Sequence, residues 1–170
     1  MLLGTIVLLV IARTTPTSFW CGLPLVVMGE LVRVWSAGSL KKMDQLTVNG
    51  PFALCRNPLY MGSFLMTAGY LVMCHRIDAA VIGLVLYWVF HGGAIVYEEG
   101  MLREKYGQVF ESYCKAAPRL VPCLNVNGAR GGFSWDLVSE NSEYRAAVSS
   151  LVVVIGFGLI AYDVLGLGLW

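Results

Sequence analysis

Two adjacent acids, Glu98 and Glu99, close a long apolar run, and His91 stands seven residues before the first of them, close to the same face of a helix. Neighbouring carboxylates at a membrane boundary repel each other and call for a cation, and a sulfonium is one such cation. Pairing with Arg56 or Arg103 where the helix leaves the bilayer is the plainer reading. His91 can be a packing histidine or a base. A second stretch, Arg56-Asn57-Pro58-Leu59-Tyr60, has the form of a helix start. Asn57 suits the N-cap and Pro58 the first helical position, where its missing N–H and fixed φ cost nothing. The free N–H groups and positive dipole end of such a helix can hold an anionic group. An ordinary capped start, with Arg56 on a lipid phosphate, uses the same residues.

Positioning these residues falls to a membrane. Of 170 residues, 57% are hydrophobic and 14% charged, against about 25% charged in soluble domains. The formal charge of +1 does not supply the basic surface that a nucleic-acid partner needs. Five cysteines, widely spaced and without a CxxC pair, suggest neither a disulfide framework nor a zinc site, and read as packing residues. The N-terminus lacks the basic region and small-residue cleavage pattern of a signal peptide, so an uncleaved first helix is expected.

A bilayer needs about 17–25 apolar residues per helix. Candidate spans are residues 1–12, 19–37, 59–73, 79–97 and 146–170, the first too short to cross unaided. Glu30 and Arg33 interrupt the second span and lie three apart, so they either pair or snorkel. Residues 98–114 carry Met101, Leu102, Tyr106, Val109, Phe110 and Tyr113 near a 3.6-residue period and predict an interfacial amphipathic helix, closed by Pro118 and Pro122. Residues 125–132 form a Gly/Asn loop, and 134–144 are expected to lie along the surface. With the N-terminus inside, residues 33–56 and 98–145 are both cytosolic and hold ten of the twelve Lys and Arg, which favours an N-in, C-out topology. The expected fold is therefore all-α: one domain over residues 1–170, a polytopic bundle of about five spans with a cytosolic amphipathic helix.

The ordered set Arg33-Val-Trp35 through Lys42, Leu46-Thr47, Gly50-Pro51-Phe52, Arg56-Asn57-Pro58-Leu59-Tyr60-Met61-Gly62, Glu98-Glu99-Gly-Met-Leu102, Tyr106-Gly107 and Pro118-Arg119-Leu120-Val121-Pro122 resembles the isoprenylcysteine carboxyl methyltransferases and their phospholipid methyltransferase relatives. The resemblance covers about residues 35–122. It implies an S-adenosylmethionine-dependent enzyme of the membrane, in the manner of small bacterial inner-membrane members, acting on a lipophilic or lipid acceptor, with carboxyl O-methylation favoured and phospholipid amine N-methylation as an alternative. It also implies a cofactor pocket at the cytosolic helix ends. There Gln45, Leu46 and Thr47 would line the adenosine end and Phe52 would give an aromatic wall. Asn57, Pro58, Leu59 and Tyr60 would hold the methionine and ribose portions. Glu98 would contact the amino group or ribose, with Glu99 in support and Arg56 neutralising the acids or gripping a carboxylate. Arg56, Glu98 and Glu99 form the implied catalytic set, and no metal is implied.

Two departures shape this reading. The family's usual histidine in the helix-start motif is Asn57 here, and an amide accepts no proton at neutral pH. Where prenylcysteine enzymes carry an arginine one turn before the acids, this chain has Ala94, which weighs against prenylcysteine itself as acceptor. The rival from another class is a non-catalytic membrane protein that binds headgroups or a partner. A related membrane reductase finds no support, because no Gly-rich dinucleotide fingerprint is present.

Overall fold

The computed structural model describes residues 2–41, 45–123 and 132–164. Among them every regular element is helical: α1 (Leu2–Ile11), α2 (Pro16–Ser39), a 3-10 turn at Gly50–Ala53, α3 (Pro58–Cys74), α4 (Ile77–Tyr106), α5 (Gln108–Ala116), α6 (Trp135–Glu140) and α7 (Glu143–Ala161). Three helices, α2, α4 and α7, are long and apolar enough to cross a membrane, and α3 is a shorter apolar helix. At 1.5 Å per residue the 17 residues of α3 reach about 25 Å, close to the thickness of a hydrocarbon core. The 10 residues of α1 reach about 15 Å, so the first of the five expected spans is a helix too short to cross. Most of the loop expected at 125–132, and the end of the last span beyond residue 164, lie outside the described residues.

Glycine spacing sets the centre of the bundle. Gly22 and Gly29 on α2 face Gly69 and Gly62 on α3, two helical turns apart on each side. A Cβ at Gly22 would stand 2.5 Å from the Gly69 carbonyl oxygen, and one at Gly29 would stand 2.6 Å from that of Gly62. Only glycine lets the two backbones come this close, which in lipid replaces the missing hydrophobic drive with dense van der Waals contact. Phe19, Val26, Met66, Tyr70 and Met73 complete this core together with Val153 and Phe157 from α7. The outward face of α4, with Val81, Val85, Val89 and Phe90 all more than half exposed, is left to the acyl chains.

One end of the bundle is held by a capping box. The Thr15 hydroxyl accepts from Ser18 N–H at 3.1 Å, the Ser18 hydroxyl accepts from Thr15 N–H at 2.9 Å, and Pro16 opens α2. Arg13 N–H also donates to the Cys74 carbonyl at 3.0 Å. At the other end, Arg33 does not pair with Glu30. Its Nε and Nη2 donate to the two oxygens of Glu143 at 2.7 and 3.0 Å, and its Nη1 donates to Ser63. A planar fork is best met by a carboxylate facing it, and Glu143 does so from the first turn of α7, where the helix dipole favours an acid. Both Glu30 oxygens are buried without a hydrogen-bond partner among the described residues.

The expected break after residue 97 is absent. α4 runs unbroken through Glu98 and Glu99 to Tyr106, because no glycine at positive φ and no proline interrupts it before Gly107, which sits at φ +49°. The amphipathic segment is thus split between the last turns of α4 and the short α5. α5 ends at Ala116, just before the Ala117-Pro118 step, where a following proline disfavours helix.

Candidate functional site

Consecutive helix residues point about 100° apart, so Glu98 and Glu99 cannot share a task. Glu99 turns inward and is 3% exposed. Its Oε1 accepts from Arg56 Nε at 3.1 Å and Asn57 Nδ2 at 3.0 Å, and its Oε2 accepts from Arg119 Nε and Nη2 at 3.0 and 2.7 Å. Arg56 spends its remaining reach on the carbonyls of Cys114 and Ala117, at 3.1 and 2.8 Å. The backbones of the same residues are laced as well, with Arg56 N–H to Pro118 O at 2.8 Å and Asn57 N–H to Arg119 O at 3.2 Å. One buried carboxylate therefore fixes the start of α3, the body of α4 and the strap that follows α5. Its four donors compensate the desolvation of the charge.

Asn57 holds the N-cap position of α3 but does not cap it with its side chain. A cap requires the amide oxygen to accept from the first turn, whereas here the amide is turned to donate Nδ2 to Glu99 and to the Arg119 carbonyl. A buried anion outcompetes a neutral helix end for that donor. The first-turn N–H groups of α3 are left without a side-chain cap.

Glu98 faces outward and accepts from the Tyr60 hydroxyl at 2.7 Å. Tyr60 is fixed from below, since the Tyr87 hydroxyl donates to its carbonyl oxygen. Asn57, Tyr60, Glu98 and Glu99 thus meet at one end of the α3–α4 seam, with Pro58 fully buried between them and Leu59 half-buried.

Gln45, Leu46 and Thr47 border a separate small cleft of about 190 Å³ together with Ser39, Asn49 and Gly132. That volume is below the ~300–1,000 Å³ of sites that take a whole ligand. α5 links the cleft to the seam: Leu46 packs on Phe110 and Tyr113, and the Tyr113 hydroxyl donates to the carbonyl of Phe52 at 2.7 Å. Phe52 itself is buried in the 3-10 turn, 7% exposed. Burial raises the Tyr113 phenol above its ordinary range and pushes the Cys55 thiol up to about 11. The unfolded thiol ionises first, so this burial costs stability only as pH climbs from 9.0 towards about 11.

Arg119 has one signal in the sequence, its place between Pro118 and Pro122, and that place names no partner. The Arg33–Glu143 pair had no local signal, because 110 residues separate its partners. Among the described residues, no group of three or more His, Cys, Asp or Glu side chains could hold a metal ion.

The chain matches the phospholipid methyltransferase family over residues 17–109, more than half of its length. It belongs to that family. This family member is 28% identical to protein-S-isoprenylcysteine O-methyltransferase B of Arabidopsis thaliana over 117 residues, covering 61% of the chain and 59% of the relative. It is 33% identical to the mouse protein-S-isoprenylcysteine O-methyltransferase over 116 residues, 61% of the chain and 41% of that protein. A longer match, 148 residues at 23% identity, joins it to the cobalt-zinc-cadmium resistance protein CzcN of Cupriavidus metallidurans, covering 86% of the chain and 66% of the relative. The chain thus spans about half the length of the isoprenylcysteine relatives it matches. No solved structure matches it.

Proposed function

We propose that this phospholipid methyltransferase family member transfers a methyl group from S-adenosylmethionine to a lipophilic acceptor, at the bundle end that faces the cytosol. The observation that carries the reading is the Tyr60–Glu98 contact, 2.7 Å, beside an α3 start without a side-chain cap. An exposed acid and a set of free first-turn N–H groups suit the ammonium and the carboxylate of an amino-acid-bearing sulfonium. The polar cleft at Gln45, Leu46 and Thr47 has room for part of such a molecule, which fits an adenine end better than the whole cofactor. When bound, the cofactor supplies an electrophilic methyl group, and the chain's task is to align donor and acceptor and keep water out.

In this reading Arg56 and Glu99 are positioning residues. Arg56 Nε and Nη1 are already engaged, and Glu99 accepts four bonds within the protein. Glu98, Tyr60 and the first-turn N–H groups of Leu59 and Tyr60 are left to touch the cofactor, with Phe52 walling the site through the 3-10 turn. The cytosolic assignment rests on charge. Among the described residues, Arg33, Lys41, Arg56, Arg103, Lys105, Lys115, Arg119 and Arg145 belong to the segments at this end, and Arg13 and Arg76 to those at the other.

The names of the plant and mouse relatives support a carboxylate acceptor. A second reading, a neutral protic acceptor, is favoured by one observation: Arg56 and Arg119 are committed to Glu99, and Arg33 to Glu143. The test is transfer of label from methyl-tritiated S-adenosylmethionine into organic-extractable material by membranes carrying the chain. Wild type is expected to transfer and Glu98→Ala to transfer about 10–100-fold less, the loss of one hydrogen bond to a charged group. Equal counts in membranes with and without the chain would favour a headgroup- or partner-binding protein instead.

A further inference from the structure

The seam between α3 and α4 continues from Glu98 into the membrane and carries a group that the cofactor reading leaves unused. His91 stacks on Tyr87, with ring centroids 4.1 Å apart and planes at 11°, and meets the edge of Tyr60 at 5.8 Å. Its Nδ1 lies 3.1 Å from the Tyr87 carbonyl oxygen. A carbonyl can only accept, so Nδ1 carries the hydrogen and the neutral ring keeps its lone pair on Nε2. That nitrogen has no partner among the described residues. Phe64 adds its ring against Tyr87 and Trp88, at 5.5 and 6.0 Å, and Trp88 is half exposed on the lipid side. The seam therefore carries a row of aromatic side chains that ends on the lipid-exposed Trp88, an acid at the cofactor end and an imidazole lone pair along its length.

We propose that His91 Nε2 is the proton acceptor for a lipid-soluble phenol that enters this seam from the bilayer and is methylated on oxygen. The proposal rests on the cofactor reading above and names its acceptor. A carboxylate acceptor would meet Glu98 with Arg56, Arg119 and Arg33 all bound to other acids. An amine would arrive as an ammonium, and a carboxylate beside it favours that charged form, which has no lone pair to attack with. A phenol meets neither obstacle. Its ring suits the edge and stacking contacts already made by Tyr60, Tyr87 and Phe64, and its pKa of about 10 lets an imidazole take the proton as bonding to the methyl group develops.

In the step, an oxygen lone pair attacks the methyl carbon and the C–O bond forms. The C–S bond breaks with its electron pair staying on sulfur, which becomes a neutral thioether. The phenolic proton moves to Nε2, so the positive charge lost by sulfur reappears on the imidazolium, which then releases the proton to water.

The chain has two histidines, His75 and His91, so nitrogen NMR of the full protein labelled at histidine, with His75→Gln for assignment, reads the tautomer directly. A hydrogen on Nδ1 and a bare Nε2 are expected at His91; a neutral ring protonated on Nε2 would overturn the proposal. The activity arm uses three probes with labelled S-adenosylmethionine: 4-nonylphenol, oleylamine and N-acetyl-S-farnesylcysteine. Transfer to the phenol is expected, falling about 100-fold or more in kcat in His91→Asn while S-adenosylhomocysteine binding is unchanged. Preference for the amine or the carboxylate, no transfer to any probe by protein that binds S-adenosylhomocysteine, or transfer to the phenol that His91→Asn leaves intact, would each overturn it. Protein that does not bind S-adenosylhomocysteine at all would instead sink the cofactor reading beneath it.

Discussion

Glu99→Ala is expected to loosen the whole site end of the bundle, at a cost of about 3–5 kcal/mol, the usual consequence of deleting one partner of a buried ion pair. The arginine left behind has a side chain only 11% exposed. It cannot swing into water without giving up the carbonyls of Cys114 and Ala117 that hold α5 in place. Asn57 Nδ2 and the Arg119 fork lose their acceptor at the same time. Glu99→Gln is expected to fall between wild type and alanine, because an amide oxygen can still serve Arg56 and Asn57 but its NH2 group meets the donors of Arg119. Thermal unfolding in detergent measures the loss, and trypsin cleavage after Arg103, Lys105 and Lys115 reports whether α5 and its strap have come free. A Glu99→Ala protein that melts with wild type and resists trypsin equally would show that the carboxylate is not the tie described here.

Gly62→Leu is expected to do more damage still. A Cβ at Gly62 would stand 2.7 Å from both the Gly29 carbonyl oxygen and the Arg33 side chain. Backbone cannot yield as a side-chain tip can, so α2 and α3 must part, and the α3 start and Arg33 move with them. The expected result is loss of monodisperse protein in detergent, with Gly29→Leu behaving alike. Gly92→Ala, where nothing lies within 4 Å, is expected to purify and melt as wild type. Normal yield and melting of Gly62→Leu would mean that the two helices are not packed backbone to backbone.

The sequence made some of this legible and hid the rest for identifiable reasons. That Arg56 to Tyr60 and the acid pair belong together is what the resemblance of the ordered set implies. The partners of the inner acid could not be read from it. The resemblance puts Glu98 on the cofactor and Glu99 in support without saying what Glu99 supports, and only the packing of α4 on α3 turns one inward to four donors and the other outward to Tyr60. Asn57 is a good N-cap by type, yet a buried carboxylate took its amide. Glu30 and Arg33 satisfy the three-residue rule, but that local preference is worth a few tenths of a kcal/mol and yields to a two-bond contact from Glu143, 110 residues away. The continuation of α4 past residue 97 follows from the absence of a breaker before Gly107, whereas composition alone drew the boundary where charges begin. The glycines of α2 and α3 stand seven apart in both helices, a visible pattern whose meaning depends on the two helices being neighbours.

The claim on which the rest depends is that Tyr60, Glu98 and the open start of α3 together hold one sulfonium cofactor. Calorimetric titration of S-adenosylhomocysteine into the detergent-purified chain tests it directly, because binding is read without any acceptor. Saturable heat with a micromolar midpoint is expected for wild type, with the midpoint shifted at least about tenfold, or the heat lost, in Glu98→Ala. A wild-type titration that shows no heat, or a Glu98→Ala titration that superimposes on wild type, would contradict it.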